Sequence, residues 1–418
     1  MNTGAMAQLR QRADYTHKHN LKTGRHGWLR LTPAYSVKVV EELIEDCPCS
    51  MRIFDPFCGT ATTALSAAYH GHKGVTTDIN PFLVWLGRAK TAHYSEKDVL
   101  AARHACTRAL DLAKGRGRGS VVSYPPPIHN IERWWSPAAL KFLCAVKGAL
   151  EAVTEKGSPV QTLLLVAFCR TLISLSNAAF NHQSMSFKDN GQFHMNLDID
   201  MPALYAQDVE FVLSGARDNP EGEGQVILGD SRNASAFVKE KFDRVITSPP
   251  YANRMSYIRE LRPYMYWLGF LVNGKDAGEL DWSAIGGTWG IATSRLTEWE
   301  PARSEFKSKA LIDALSRIAH QDNKNGGIMS NYVAKYFEDM WTHFGGLAPV
   351  LAEGAELHYI VGNSTFYGVV LPTEMIYAEM LSALGFTNVE YRAIRKRNSK
   401  KELIEFDVTA VSRHNAAG

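Results

Sequence analysis

Apolar positions along this chain recur with two different periods, and the switches between them delimit its elements. Short β-rich runs, RIFD at 52–55 and GVTTD at 74–78, flank the Ala-rich stretch TATTALSAAYHG, which reads as a helix ending at Gly71. From about 80 to 220 the pattern is mostly helical. FLVWLGRAKT, DVLAARHACTRALDLAK, SPAALKFLCAVKGALEAV and VQTLLLVAFCRTLISLSNAAF all space apolar residues by three and four. KGRGRGSVVSYPPP interrupts them, since its glycines and prolines do not continue a helix. Strands resume with QVILGD at 225–230 and FDRVITS at 242–248, and 271–330 reads as irregular. There follow a helix around VAKYFEDMWTHFGGLAPVL, a strand ELHYIVGNS at 356–364 and a helix TEMIYAEMLSALGF. NVEYRAIRKR and EFDVTAVSR, joined by a short polar turn, close the chain as an antiparallel hairpin.

With the two inserts set aside, strands and helices alternate, which predicts a doubly wound, mostly parallel α/β sheet ending in that hairpin. The expected organisation is a flexible segment 1–24, a first part of the core 25–95, a helical insertion 96–220, a second part of the core 221–270, an irregular insertion 271–335 and a C-terminal part of the core 336–418. A chain of 418 residues suits one large decorated domain or two. The net charge of +3 permits a local basic face without requiring one. All six cysteines precede residue 170, and without a signal-peptide pattern they predict reduced thiols in the cytoplasm. Cys47-Pro-Cys49 is too close for half a zinc site, so no metal is expected, and no apolar run approaches membrane-spanning length.

The strand at 242–248 ends abruptly in Ser248-Pro249-Pro250-Tyr251. Two prolines donate no backbone hydrogen bonds, so a hydroxyl, carbonyls and a ring are left at the strand's C-terminal edge, where open α/β sheets bind ligands. FDPFCGTATT, at 54–63, sits between the first strand and its helix and carries Gly59 in the turn. That geometry brings backbone N–H groups close to a ligand. Asp78 ends the second strand 19 residues later, as acidic residues that take ribose hydroxyls do, and Asp230 ends the third.

DPFCGTATT, then TTDINP, then TSPPY resembles the DNA amino-methyltransferases, which move a methyl group from S-adenosylmethionine to an exocyclic base amine. SPPY is similar to the cytosine-N4 branch more than to the DPPY-bearing adenine-N6 branch. The resemblance covers roughly half the chain, the strand-bearing core. It implies a class I methyltransferase-like fold with a seven-stranded sheet, double-stranded DNA as substrate and a possible cognate restriction endonuclease. HGWLRLTPAYSVKVVEELI at 26–44 is similar to the family's upstream cofactor segment, matching at Thr32 and Pro33. Further cofactor positions implied are Asp55, Phe57, Cys58, Gly59 and Thr60 at the turn, Asp78 for ribose, Ile79 against adenine, and Asp230 with Ser231 near the adenine amine. Ala61 stands where the family usually has a second glycine. Ser248, Pro249, Pro250 and Tyr251 match the catalytic motif. Cytosine N4 is a poor nucleophile, and acceptors on both its protons hold it towards tetrahedral geometry. Ser248 Oγ and the Pro249 carbonyl suit that task, and Tyr251 offers a ring on which a flipped base stacks. An adenine-N6 enzyme, an RNA base-amine methyltransferase and a catalytically silent nucleic-acid-binding module are the alternatives.

Other chemistries fit less well. Cytosine-C5 methylation needs a thiolate, and 170–418 contains no cysteine. A hydride-transfer enzyme would carry GxGxxG and leave SPPY unexplained. For DNA contacts, the sequence offers Arg254, Tyr257, Arg259 and Arg262 after SPPY, His182, Gln183 and Lys188 in the helical insertion, and Trp289 and Arg295 near a Gly-rich loop. The basic turn Arg395, Lys396, Arg397, Lys400 and Lys401 reads as either a phosphate grip or a solubilising tip. Trp134 and Trp135 read as core.

Overall fold

The computed structural model describes residues 9–31, 35–47, 49–115, 123–179, 186–187, 199–287, 291–302, 306–321, 325–397 and 403–413. Seven strands form its main sheet: β1 (Arg52–Asp55), β2 (Lys73–Asp78), β3 (Glu223–Leu228), β4 (Phe242–Thr247), β5 (Leu351–Gly362), β6 (Thr387–Lys396) and β7 (Ile404–Val411). Their spatial order is β6-β7-β5-β4-β1-β2-β3. Neighbours from β3 to β5 run parallel, whereas β7 pairs antiparallel with both β5 and β6. The chain order reverses between β1 and β4, which lie side by side with Ile53 opposite Arg244. That reversal is the switch point at which such sheets open a ligand crevice.

Alternation along the strands decides which face each helix covers. Ile53 and Ile246 point towards helices α1 (Val37–Ile44) and α2 (Thr62–Tyr69), packing on Val40, Ile44 and Ala67. Phe54 and Val245 point the other way, into a second core with α12 (Gly326–Leu347) and α13 (Thr373–Ala383). Helix α3 (Pro81–Thr91) starts at Asn80, whose side chain accepts from Phe82 N with Pro81 in the first turn. This is the class I methyltransferase-like α/β architecture that the resemblance implies.

The helical insertion comprises α4 (Glu96–Ala113), α5 (Pro137–Val153), α6 (Pro159–Ser174) and α7 (Met201–Ala216). Ser95, Ser136, Ser158 and Asp200 cap them, so each start is specified locally. Trp134 and Trp135 are buried in its core. Residues 271–330, read as irregular, instead hold α9 (Gly274–Ser283), α10 (Ile291–Glu298) and α11 (Lys309–Ala319). GKDAGELDWS carries few apolar positions, and the helix is started by Asn273, which accepts from Asp276 N at 2.9 Å. Among the described residues no helix is long and apolar enough to cross a membrane.

Candidate active site

The turn after β1 folds back on the tip of β2. Cys58 N donates to the Thr77 carbonyl at 2.8 Å, Gly59 N to Asp78 Oδ2 at 3.1 Å, and Asn80 N to Asp78 Oδ1 at 2.8 Å. Gly59 has φ +49°, a conformation glycine adopts freely. Ala61 caps α2 with φ +58°, a left-handed position where a side chain costs about 1 kcal/mol. Its methyl is buried beside Cys58, Val84 and Val226, so the missing glycine is accommodated by packing.

Beside this turn, SPPY leaves β4. The two loops share one cavity of about 410 Å³, within the range of ordinary ligand sites. Phe57, Gly59, Thr60, Asp78, Ile79, Asp230 and Ser231 line it, and so do Ser248, Pro249, Pro250 and Tyr251. Asp55 and Cys58 lie behind the wall. Asp55 accepts from Phe57 N at 3.0 Å and Thr247 Oγ1 at 2.5 Å, and burial pushes its carboxyl up to about 7. Cys58 packs against Gly87 from below, and burial holds its thiol well above the ordinary value.

The two aspartates in the cavity differ. Burial raises Asp78 to about 6, with the Asn80 and Gly59 amides pulling it back. Burial also acts on Asp230, yet hydrogen bonds from Arg232 hold it below the usual carboxylate range. Arg232 grips both Asp230 oxygens and bridges to Asp339 at 2.6 Å. Thr60 has its carbonyl 3.1 Å from Lys90 Nζ, which also donates to the His26 carbonyl. Lys90 is fully buried, and burial lowers its ammonium from 10.5 to about 7. The unfolded chain therefore keeps a proton between pH 7 and 10.5 that the folded chain sheds, so stability rises with pH across that window. Lys90→Met is expected to remove about 2 kcal/mol of the gain between pH 7 and 9, measured by urea unfolding at both values.

SPPY is held by hydroxyls. Tyr336 donates to the Pro250 carbonyl at 2.8 Å, and Tyr251 N donates to Tyr257 at 3.2 Å. Arg254 has φ +61° and its N–H donates to Tyr332 at 3.2 Å. Ser248 Oγ lies 3.5 Å from the Tyr251 hydroxyl.

Of the DNA contacts expected from 254–262 and at Arg295, all among the described residues, only Tyr257 lines the cavity. Arg254 is exposed beside it. Arg259 and Arg262 sit on α8 (Tyr257–Trp267) away from the cavity, and the Arg262 guanidinium lies 4.9 Å over Trp134. Arg262 is drawn there because α8 turns into the helical insertion. Trp267 meets Trp135 edge-on at 5.7 Å, and Tyr264 stacks on Phe82 at 5.2 Å. Arg295 is paired with Glu279 at 2.6 Å and stays outside the cavity. Thr32, Pro33, His182, Gln183, Lys188, Trp289, Lys400 and Lys401 lie outside the described residues.

Sequence reasoning missed Tyr35, whose hydroxyl bonds to Thr63, and Glu405 of the terminal hairpin; Arg395 and Arg397, read from the sequence as part of a basic turn, line the cavity with them. The basic turn is thus partly inward-facing at Arg395 and Arg397. A glutamate between two apolar positions, IEF, was the available signal for Glu405. Among the described residues no group of three or more His, Cys, Asp or Glu side chains is placed to hold a metal ion.

No family model matches the chain, and no solved structure matches it significantly. Among curated proteins it is similar to the Type II methyltransferase M.MvaI of Kocuria varians, 21% identical over 410 residues that span 93% of this chain and 85% of the relative. It is similar to the Type II methyltransferase M.BsoBI of Geobacillus stearothermophilus at 21% over 440 residues, spanning 95% and 86%. The Type II methyltransferase M.AvaI of Nostoc sp. is 21% identical over 411 residues, spanning 89% and 80%.

Proposed function

We propose that this chain is a site-specific DNA methyltransferase that uses S-adenosylmethionine to methylate a base flipped out of the duplex, and that the base is cytosine, modified at N4. The observation that carries the reading is that the Gly59–Asp78 turn and SPPY, from strands at the switch point, open onto a single cavity. The full-length similarity to Type II methyltransferases supports the same reaction class.

The donor set suits the methyl donor. Asp78 and Asp230 provide acceptors for hydroxyl and amine donors, while Phe57, Ile79 and Leu83 offer apolar wall. When bound, S-adenosylmethionine supplies a methyl group already activated on a sulfonium sulfur. The chain's own task is then alignment. Ser248 Oγ and the Pro249 carbonyl accept the two N4 protons and turn the nitrogen lone pair towards the donor side. Pro249 and Pro250 fix their own φ, and Tyr336 pins the following carbonyl, so the acceptors stay put without reorganisation. Tyr251 presents a face for the extruded ring. The amine's surplus proton leaves to solvent or through Ser248.

The test is incubation with tritiated S-adenosylmethionine and unmethylated duplex DNA, followed by nucleoside mass spectrometry. N4-methylcytosine is the expected product. N6-methyladenine would reassign the base, and no incorporation into DNA would overturn the reading. Sequencing of DNA from cells expressing the protein would then reveal the recognition site and the context of any paired endonuclease.

A further inference from the structure

We propose that Glu405 and Arg395, on the C-terminal hairpin, are positioning residues that hold the Tyr251 ring in the orientation an extruded base requires. The inference deepens the reading above and rests on it.

Strand pairing sets Arg395 directly opposite Glu405. Arg395 grips the carboxylate through Nε at 2.6 Å and Nη2 at 3.0 Å. The same carboxylate accepts the Tyr251 hydroxyl at 2.9 Å, across 154 residues of chain. Glu405 is only 4% exposed, so these three bonds form out of water. Arg397 completes the clamp from the ring face, its guanidinium 4.9 Å from the centroid while Nη1 donates to the Asn363 carbonyl. Gly362, opposite Glu405, makes room for it: a Cβ there would stand 2.3 Å from Arg397 Nη1.

A tyrosine ring turns about χ2 in a broad well, so its plane is decided by what touches it. Here the backbone of Tyr251 is tied to Tyr257, and the phenol to a different element, the hairpin. Burial, with Glu405 adding, pushes the phenol well above its ordinary value and keeps it a donor. A buried charge pair is a poor source of net stability but a good source of fixed geometry. All four side chains line the cavity, so their geometry is felt where the base would sit.

Tyr251→Phe removes one hydroxyl and leaves the Arg395–Glu405 pair intact. Glu405→Gln weakens the anchor from the other side, and Arg395→Lys provides a second hairpin variant should Glu405→Gln fold poorly by circular dichroism. Each single change is expected to lower kcat about 10- to 30-fold, with KM for DNA within about threefold and S-adenosylmethionine affinity by calorimetry unchanged. The double variant of Tyr251→Phe with either hairpin change should be no slower than the worse single, because the hairpin pair acts on the ring only through the hydroxyl bond that Tyr251→Phe already removes. Multiplying losses, or full activity in both hairpin variants, would overturn the inference while wild-type activity upholds the functional reading. Wild-type protein that neither binds the donor nor methylates DNA would overturn both.

Discussion

Ser248→Ala is expected to lower turnover roughly 10²–10³-fold while S-adenosylmethionine affinity, by calorimetry, stays within about twofold of wild type. The asymmetry follows from where Ser248 sits. It leaves the tip of β4 in the SPPY loop, and its hydroxyl approaches Tyr251 rather than any group in the Gly59 turn. Removing it deprives the amine of one acceptor and leaves its nitrogen closer to planar, a loss paid only as the bond to carbon forms. Ser248→Thr keeps the hydroxyl and should recover part of the rate. Single-turnover measurements separate this from slow product release, and an unchanged rate in Ser248→Ala would remove the hydroxyl from the mechanism.

Asp78→Ala is expected to weaken S-adenosylmethionine binding about 10- to 100-fold, the scale of a charge-assisted hydrogen bond lost from a buried site. Two contributions combine. The carboxylate is presented to the cavity, and it also ties down Gly59 N, so its removal loosens the turn that shapes the pocket. Asp78→Asn deletes the charge while its single carbonyl oxygen keeps one of the two backbone bonds, to Gly59 N or to Asn80 N. Because burial raises Asp78 to about 6, wild-type affinity should fall as pH drops from 7.5 towards 5, and the Asn variant should lack that fall. Asp230, held low by Arg232, stays ionised through the same range. Asp55 titrates near 7 but lies behind the wall, and comparison with Asp78→Asn subtracts it. A flat wild-type titration, or equal affinity in Asp78→Ala, would exclude Asp78 from donor binding.

Much of this protein is written locally. The strand-turn-helix around Gly59, the proline stop after Thr247 and the Ser and Asp caps of the insertion helices depend on residues within a few positions of one another, so a linear reading finds them. The alternation of strand and helix likewise determined a doubly wound parallel sheet, since short crossovers permit few other arrangements. The cavity residues at the two motifs were legible for the same reason: an open α/β sheet presents its strand tips on one edge.

What the tertiary structure alone decided is which distant side chains reach that edge. Arg262 was drawn from the cavity to Trp134 because α8 buries its aromatic face in the helical insertion. Arg395 and Glu405 were brought to Tyr251 because antiparallel pairing of β7 with β5 sets the hairpin beside SPPY, and a register shift of one residue would have turned them to the opposite face. Side-chain chemistry and short-range geometry are carried by the sequence in order; proximity across 154 residues depends on sheet order and register, which the whole core settles at once.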